Sequence, residues 1–430
     1  MNLAFGWRNA MAYGLLGLPL AFAALPLYVV LPNHYAREFG VPLAALGGVL
    51  LGARLLDALI DPLLGRWSDA LLARSPRAVL RMAGLAAVLL ATGLALLFFP
   101  PAGLLAQGAA ALLGWAAAML LLTYLGYSLL SITHQAWGAL LGGNETERSR
   151  ITGSREALGL VGVLTASVLP SVLGLPLALG VFAALLALGW LAWCRSLPPK
   201  AEQASTQPPS LWGPLKQRPF QRLMGVFMLN GVASAVPATL VLFFVQDRLQ
   251  APPAMEPLFL GSYFLCAALS MPLWLGLVKR LGLARSWLAG MLLAVSVFLF
   301  ASQLGAGDAL AFAMVCALSG VALGADLALP GALLAGLIQG APNGRHAGAY
   351  FGWWNFATKL NLALAAGLAL PLLEFFGYAP GARDEAGLDA LVVAYCLLPC
   401  ALKLAAAAAL YIWIIRPAAG HSESTRENLT

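Results

Sequence analysis

The chain has 430 residues, 61% of them hydrophobic and only 10% charged, with 45 Gly, 27 Pro and a mean hydropathy of +0.83. Soluble globular chains carry roughly 25% charged residues, so this one lacks the polar cover it would need in water. That excludes a soluble enzyme, a nucleic-acid-binding protein and a disordered chain.

Twelve apolar runs of roughly 20 residues, the length that crosses a bilayer core, are predicted in chain order: 11–32, 41–65, 82–100, 108–141, 156–174, 176–194, 221–246, 257–278, 286–303, 308–339, 349–373 and 389–415. The first is too long for a removable leader and lacks a small-residue cleavage site at its end, so it reads as a span. Several runs exceed the bilayer thickness and are expected to tilt or to continue into the cytoplasm.

The basic residues orient the spans. With the N-terminus inside, nineteen of the 25 Lys+Arg fall in inner segments, three outside and three within spans, and the excess explains the net charge of +7 and the pI near 9.3. This asymmetry places both termini in the cytoplasm of a multi-pass plasma (inner) membrane protein. The Pro-rich stretch Ser196–Phe220 is the one long polar linker, and it divides the spans six and six. The expected organisation is a six-helix bundle over 1–195, a linker over 196–220, a second bundle over 221–416 and a tail over 417–430. A weak echo relates the halves: Pro62-Leu-Leu-Gly65 closes span 2 as Pro272-Leu-Trp-Leu-Gly276 closes span 8. The fold class is therefore all-α, twelve transmembrane helices in two pseudo-symmetric six-helix bundles, as in the major facilitator transporters.

A charge within the bilayer costs at least ~2.5–3.5 kcal/mol on insertion scales, so each one needs a partner or a purpose. Span 2 carries Arg54, Asp57 and Asp61, which lie within roughly 60° of one another at helical periodicity, with Gly65 on the same stripe. One arginine cannot neutralise two carboxylates, and the surplus acid invites a cation. Lys359 in span 11, one turn beyond Asn355, is the expected counter-charge. Asp326 in span 10 is the other deep acid, and Lys403 in span 12 reads as a structural pair within the second half.

His134 and Gln135 in span 4 are candidates for solute contact or proton relay, although a lone histidine more often packs. Tyr28, Tyr124, Tyr127, Trp137, Trp353 and Trp354 are candidate stacking walls, each of which singly is more often a packing or interface residue. The cysteines, Cys194, Cys266, Cys316, Cys396 and Cys400, sit in apolar runs and read as small hydrophobes. Neither Cys396 with Cys400 nor Met224 with Met228 assembles a metal ligand set. No P-loop is present, which argues against ATP-driven transport by this chain.

The pattern Arg54-x-x-Asp57-x-x-x-Asp61-Pro62-x-x-Gly65-x-x-x-Asp69 resembles the signature of the glycoside–pentoside–hexuronide:cation symporters, the melibiose-permease branch of the major facilitator superfamily. Tyr127–Gly138 with the Arg148–Arg155 loop, Gly324–Pro330 and Gly344–Lys359 agree with it. The resemblance implies a coupling-cation site at Asp57 and Asp61, with Lys359 near them, Arg155 on the cytoplasmic side of a solute cavity and Tyr28 lining it. The departures are Ala21 where melibiose permeases place an acid in span 1, Ser131 at their span-4 carboxylate, and Gly336 and Gln339 at the acids common near the end of span 10.

The expectation is thus a secondary transporter, not an enzyme, in which H⁺ or Na⁺ drives symport of a small polar solute of sugar or sugar-derivative class. An amphipathic or aromatic, lipid-like solute is the alternative, and a non-transporting membrane sensor the reading from a different class. Asp57, Asp61, Ser128 and Ser131 are the expected cation ligands. Tyr28, Tyr127, His134, Trp137, Arg155, Asp326, Trp354, Asn355 and Lys359 are the expected solute contacts, and Arg54 joins Lys359 in the charge network. No cofactor beyond the coupling ion is expected. The expected partners are the solute, the cation and membrane lipids, with no nucleic acid, and the chain is expected to be a monomer.

Overall fold

The computed structural model describes residues 6–199, 210–341, 346–375, 378 and 384–417, and among them every regular element is helical. The helices in chain order are α1 (Trp7–Gly14), α2 (Gly17–Leu25), α3 (Leu31–Phe39), α4 (Leu43–Arg74), α5 (Pro76–Phe98), α6 (Ala102–Leu105), α7 (Ala109–Leu140), α8 (Glu145–Leu173), α9 (Leu175–Cys194), α10 (Arg218–Phe243), α11 (Glu256–Leu281), α12 (Leu283–Ala301), α13 (Ala309–Gly340), α14 (Ala347–Phe375), α15 (Glu385–Val392) and α16 (Leu398–Leu410). π-Helical turns join α2 to α3 at Pro26–Val30, extend α10 at Phe244–Arg248 and join α15 to α16 at Val393–Leu397.

Local chemistry sets the boundaries. Ser75 accepts from the Ala78 amide and Pro76 follows it, which starts α5 abruptly after α4. Asn144 and Glu147 form a reciprocal capping box at the start of α8, and Asp384 caps α15 through the Gly387 amide. Proline interrupts the backbone ladder within α4, α8, α10, α11 and α13 without ending any of these helices.

Among the described residues, eight helices are long and apolar enough to cross a membrane, counting Arg218–Arg248 and Glu385–Ile415 as continuous segments. The expected span 1 is divided into α1, α2 and α3, and span 2 is α4, whose charges sit near its middle. Spans 5 and 11 correspond to α8 and α14.

The chain forms two compact units. One comprises Met1–Pro214 with Ala335–Phe356, the other Leu215–Leu334 with Ala357–Thr430. In the first, α7 packs on α4 and α5, while α8 packs on α1 and α2. In the second, α16 packs on α10 and α12. The core of the second unit is strongly aromatic: Phe244, Phe259, Phe312 and Tyr395 are buried together. The end of α13 and the start of α14, residues 335–356, thus belong to the unit that holds α4.

Candidate functional site

The central feature is the polar stripe of α4. Asp57 and Asp61 stand one turn apart, and both are buried, Asp61 with no exposed surface at all. Pro62 has no amide to donate to the Ala58 carbonyl, so the backbone ladder is open beside the second acid. From the neighbouring α7, Ser128 Oγ donates to Asp57 Oδ1 at 2.7 Å, a length typical of a hydroxyl bound to a carboxylate. Two of the four expected cation ligands therefore meet directly. Ser131 does not join them: among the described residues it accepts from the Gln135 amide at 2.8 Å. The same Gln135 nitrogen reaches Asn355 Oδ1 at 3.3 Å, which ties α7 to the start of α14. Arg54 is half-buried, one turn before Asp57.

Past the acids, α4 and α14 cross with their backbones nearly touching. A Cβ at Gly352 would sit 2.6 Å from the Asp61 carbonyl oxygen, and one at Gly348 would sit 2.8 Å from Asp69 Oδ1. Gly65 and Gly348 face each other, so a methyl on either would collide with the other's carbonyl. Only residues without side chains allow this approach. It lets Asp69 reach over the end of α14, where Oδ1 accepts from the Gly348 amide at 2.6 Å and Oδ2 from the Ala349 amide at 2.8 Å. Asp69 is thus an N-terminal cap supplied by a different helix, and its carboxylate faces the positive end of the α14 dipole.

A second polar contact holds the loop before α8. Arg148 Nη1 donates to Gln339 Oε1 at 3.1 Å and to the Gly143 carbonyl at 3.2 Å, while Gln339 Nε2 donates to the Ala139 carbonyl at 3.0 Å. A Cβ at Gly336 would lie 3.0 Å from the Arg148 guanidinium carbon. Burial holds the Arg148 guanidinium below its usual range, with Glu145 pulling the other way, and burial likewise lowers His346 just before α14.

The other expected solute contacts are spread differently. His134 has no exposed surface: its ring stacks on Tyr13 at 4.1 Å, Nε2 lies 2.9 Å from the Tyr13 carbonyl, and the Tyr13 hydroxyl donates back to the His134 carbonyl at 2.8 Å. Trp137 is buried as well, with its indole donating to the Leu197 carbonyl at 3.0 Å and its ring edge-on to Trp193. In this geometry His134 and Trp137 are both engaged in packing within the first unit. Arg155 pairs with its neighbour Glu156 on α8. Tyr127 is half-buried on α7 beside Ser128, and Trp354 is buried on α14. The side chain of Tyr28 lies outside the described residues, as does the stretch around Gly344 and Arg345. Lys359 is half-buried and belongs to the second unit, whereas Trp354 and Asn355 belong to the first.

Asp326 is also in the second unit, where Lys403 Nζ donates to Asp326 Oδ2 at 2.7 Å, Asn230 Oδ1 at 2.8 Å and Ser234 Oγ at 3.0 Å. Trp287 Nε1 donates to Asp326 Oδ1 at 2.9 Å. The expected structural role of Lys403 fits this saturated network, and Asp326 is bound up in it. Asn230, Ser234 and Trp287 went unread in the sequence. The signal was there for two of them, since Asn230 and Ser234 are polar at i and i+4 within an apolar helix. The capping role of Asp69 was also unread, though Asp69 continues the stripe one turn beyond Gly65.

The description that fits residues 10–416 is that of the MFS/sugar transport proteins. The chain belongs to that family. Its members are transporters and not enzymes, and the residues carrying the resemblance on α4 lie within the matched stretch. Comparison with curated protein sequences gives no match. Among solved structures, a bacterial homologue of the iron transporter ferroportin in an outward-facing state is similar, with a TM-score of 0.72, 17% identity, and coverage of 94% of this chain and 98% of that one. The E. coli fucose:proton symporter gives 0.68 at 14% identity, covering 94% and 99%. The human organic anion transporter MFSD10 (TETRAN) gives 0.64 at 18% identity, covering 92% and 99%. At these identities the likeness is one of fold.

Proposed function

We propose that this protein is a secondary active symporter that couples uptake of a small polar solute, of sugar or sugar-derivative class, to inward movement of a cation by alternating access. It does so with twelve spans in two six-helix bundles in the plasma (inner) membrane, both termini being cytoplasmic. The observation that carries the reading is the buried Asp57 carboxylate held by Ser128, one turn from the fully buried Asp61. Carboxylates buried within a membrane protein mark ion and proton pathways, which supports a coupling role for this pair. The family membership and the fold shared with a fucose:proton symporter support the solute class.

Between the two cations the reading favours H⁺. A hard metal cation needs several oxygens at once, whereas a proton needs one carboxylate. Ser131, at the place that the resemblance gives a third acid, is a neutral hydroxyl engaged by Gln135, so the carboxylate that would complete a metal-cation site is replaced.

The test is uptake into proteoliposomes under an imposed pH or Na⁺ gradient, with a panel of sugars and uronates. Asp57→Asn and Asp61→Asn are expected to abolish uphill accumulation while keeping downhill exchange, since an amide preserves shape but cannot cycle a proton. Full accumulation by both variants overturns the cation site. Uptake that depends strictly on Na⁺ at fixed pH overturns the proton assignment.

A further inference from the structure

We propose that the second unit contains a binding site of its own, separate from the carboxylates of α4, for a small uncharged aromatic molecule that carries a hydrogen-bond acceptor. The site is a cavity of about 200 Å³, open on one side and lined by α10, α11, α12, α13 and the α15–α16 segment. A cavity of about 150 Å³ already admits a benzene ring, so this one has room for a single ring with a short polar substituent. Its walls are rich in aromatic side chains: Phe259, Tyr263, Phe264, Phe298 and Tyr395 all border it. Faces and edges of this kind favour a flat ring over an aliphatic chain of equal volume.

The polar end of the cavity decides the charge of the ligand. Asp326 and Lys403 both border it, and they neutralise each other at 2.7 Å. All three ammonium hydrogens of Lys403 are taken, by Asp326, Asn230 and Ser234, and the other Asp326 oxygen accepts from Trp287. No charge is left over to meet an ionic ligand, which would lose its hydration without a counter-charge. The wall therefore selects a neutral molecule.

The hydrogen-bonding capacity that remains belongs to two phenols. Buried tyrosines ordinarily find a partner for the hydroxyl, yet among the described residues neither Tyr263 nor Tyr395 hydrogen-bonds to the protein, although Tyr395 is only 4% exposed. Both are donors ready for a carbonyl, ether or ring nitrogen. Tyr395 is also rigidly placed: its ring stacks on Phe244 at 4.3 Å and lies against Phe298 at 5.7 Å. It rides on the π-helical turn Val393–Leu397 that precedes Pro399, a residue unable to donate to the Tyr395 carbonyl. Such single π turns recur at functional sites, and this one carries the tyrosine that borders the cavity.

The test uses the full-length protein purified in detergent, with equilibrium dialysis of radiolabelled benzamide as the neutral aromatic probe. Benzoate supplies the same ring with a charge, and hexanamide the same amide without a ring. Saturable binding of benzamide is expected, with benzoate and hexanamide at least tenfold weaker. Tyr263→Phe combined with Tyr395→Phe, which keeps both rings, is expected to weaken benzamide about tenfold or more, the worth of two neutral hydrogen bonds, while the melting curve stays in place. Ala322→Phe, which fills the cavity, is expected to abolish binding. Asp57→Asn is expected to bind benzamide normally while losing coupled uptake, so failure here and failure of the cation site are told apart. No saturable binding to the folded protein overturns the proposal, as does benzoate or hexanamide binding as tightly as benzamide. So does benzamide affinity that the double tyrosine variant leaves unchanged.

Discussion

Lys403 and Asp326 form a pair whose energetics follow directly from their contacts. Both side chains are at most a tenth exposed, and the ammonium spends all its donors within the second unit. Lys403→Met leaves the Asp326 carboxylate buried with only the Trp287 indole and the Ser234 hydroxyl to hold it. Breaking a buried pair from one side costs about 3–5 kcal/mol. Asp326→Leu leaves a buried ammonium with two neutral acceptors and is expected to cost a similar amount. The double variant removes both charges, so its remaining cost is the orphaned Asn230, Ser234 and Trp287 indole, about 1–3 kcal/mol for each group left without a partner, a cost that the single variants share. The sum of the single losses is then larger than the loss in the double variant by several kcal/mol. Denaturant titration of all four proteins in detergent measures this coupling, with thermal melts as a cross-check. Additivity within about 0.5 kcal/mol refutes the reasoning, because it means that neither charge depends on the other. If the pair is structural, the double variant also retains coupled uptake in proteoliposomes. A stable double variant that cannot accumulate solute refutes that role.

Two further outcomes are expected at the α4–α14 crossing. Asp69→Asn keeps one acceptor but turns an NH₂ group toward one of the two α14 amides, and it removes the charge at the helix start, at an expected cost of about 2 kcal/mol in denaturant titration; a loss below a few tenths refutes the cap. Gly348→Ala introduces a methyl against the Gly65 carbonyl and Asp69, which forces the helices apart at a cost of about 1–3 kcal/mol. Gly47→Ala, at a position with open space around it, serves as the control and is expected to show little change beyond the helix-propensity gain.

Much of the architecture was legible because the bilayer demands it. Long apolar runs are consequences of hydration cost, and they need no knowledge of tertiary contacts. The acids of α4 were legible for the same reason: Asp57 and Asp61 within a largely apolar helix require an explanation wherever they point. Pairings between distant helices were harder. Periodicity places Ser128 on a face of its own helix, but nothing in the spacing says that α7 packs on α4 so that its hydroxyl meets Asp57. The sequence offered His134 as a candidate, although a lone histidine more often packs, and only the structure shows its ring against Tyr13 and Trp193. Tyr127 and Trp137, read as equal candidates, separate only once burial is known.

The substitutions that set this chain apart from melibiose permeases have a physical logic of their own. At Gln339 an amide stands where acids are common, and it performs two opposite tasks: its oxygen accepts from Arg148 and its nitrogen donates to the Ala139 carbonyl. A carboxylate could do the first but would set one of its oxygens against a carbonyl in the second. Gly336 leaves the space that the Arg148 guanidinium occupies, and a larger residue there would displace it. Gln339, Gly336 and Arg148 thus form a directional clamp between the ends of α7 and α13 and the start of α8. The Ser131 hydroxyl accepts from the same Gln135 amide that reaches Asn355. The buried acids of the described part of this region lie on α4, at Asp57, Asp61 and Asp69, with the last committed to the α14 amides. On the function proposed above, coupling falls to two buried carboxylates one turn apart, an arrangement that suits a proton better than a metal cation.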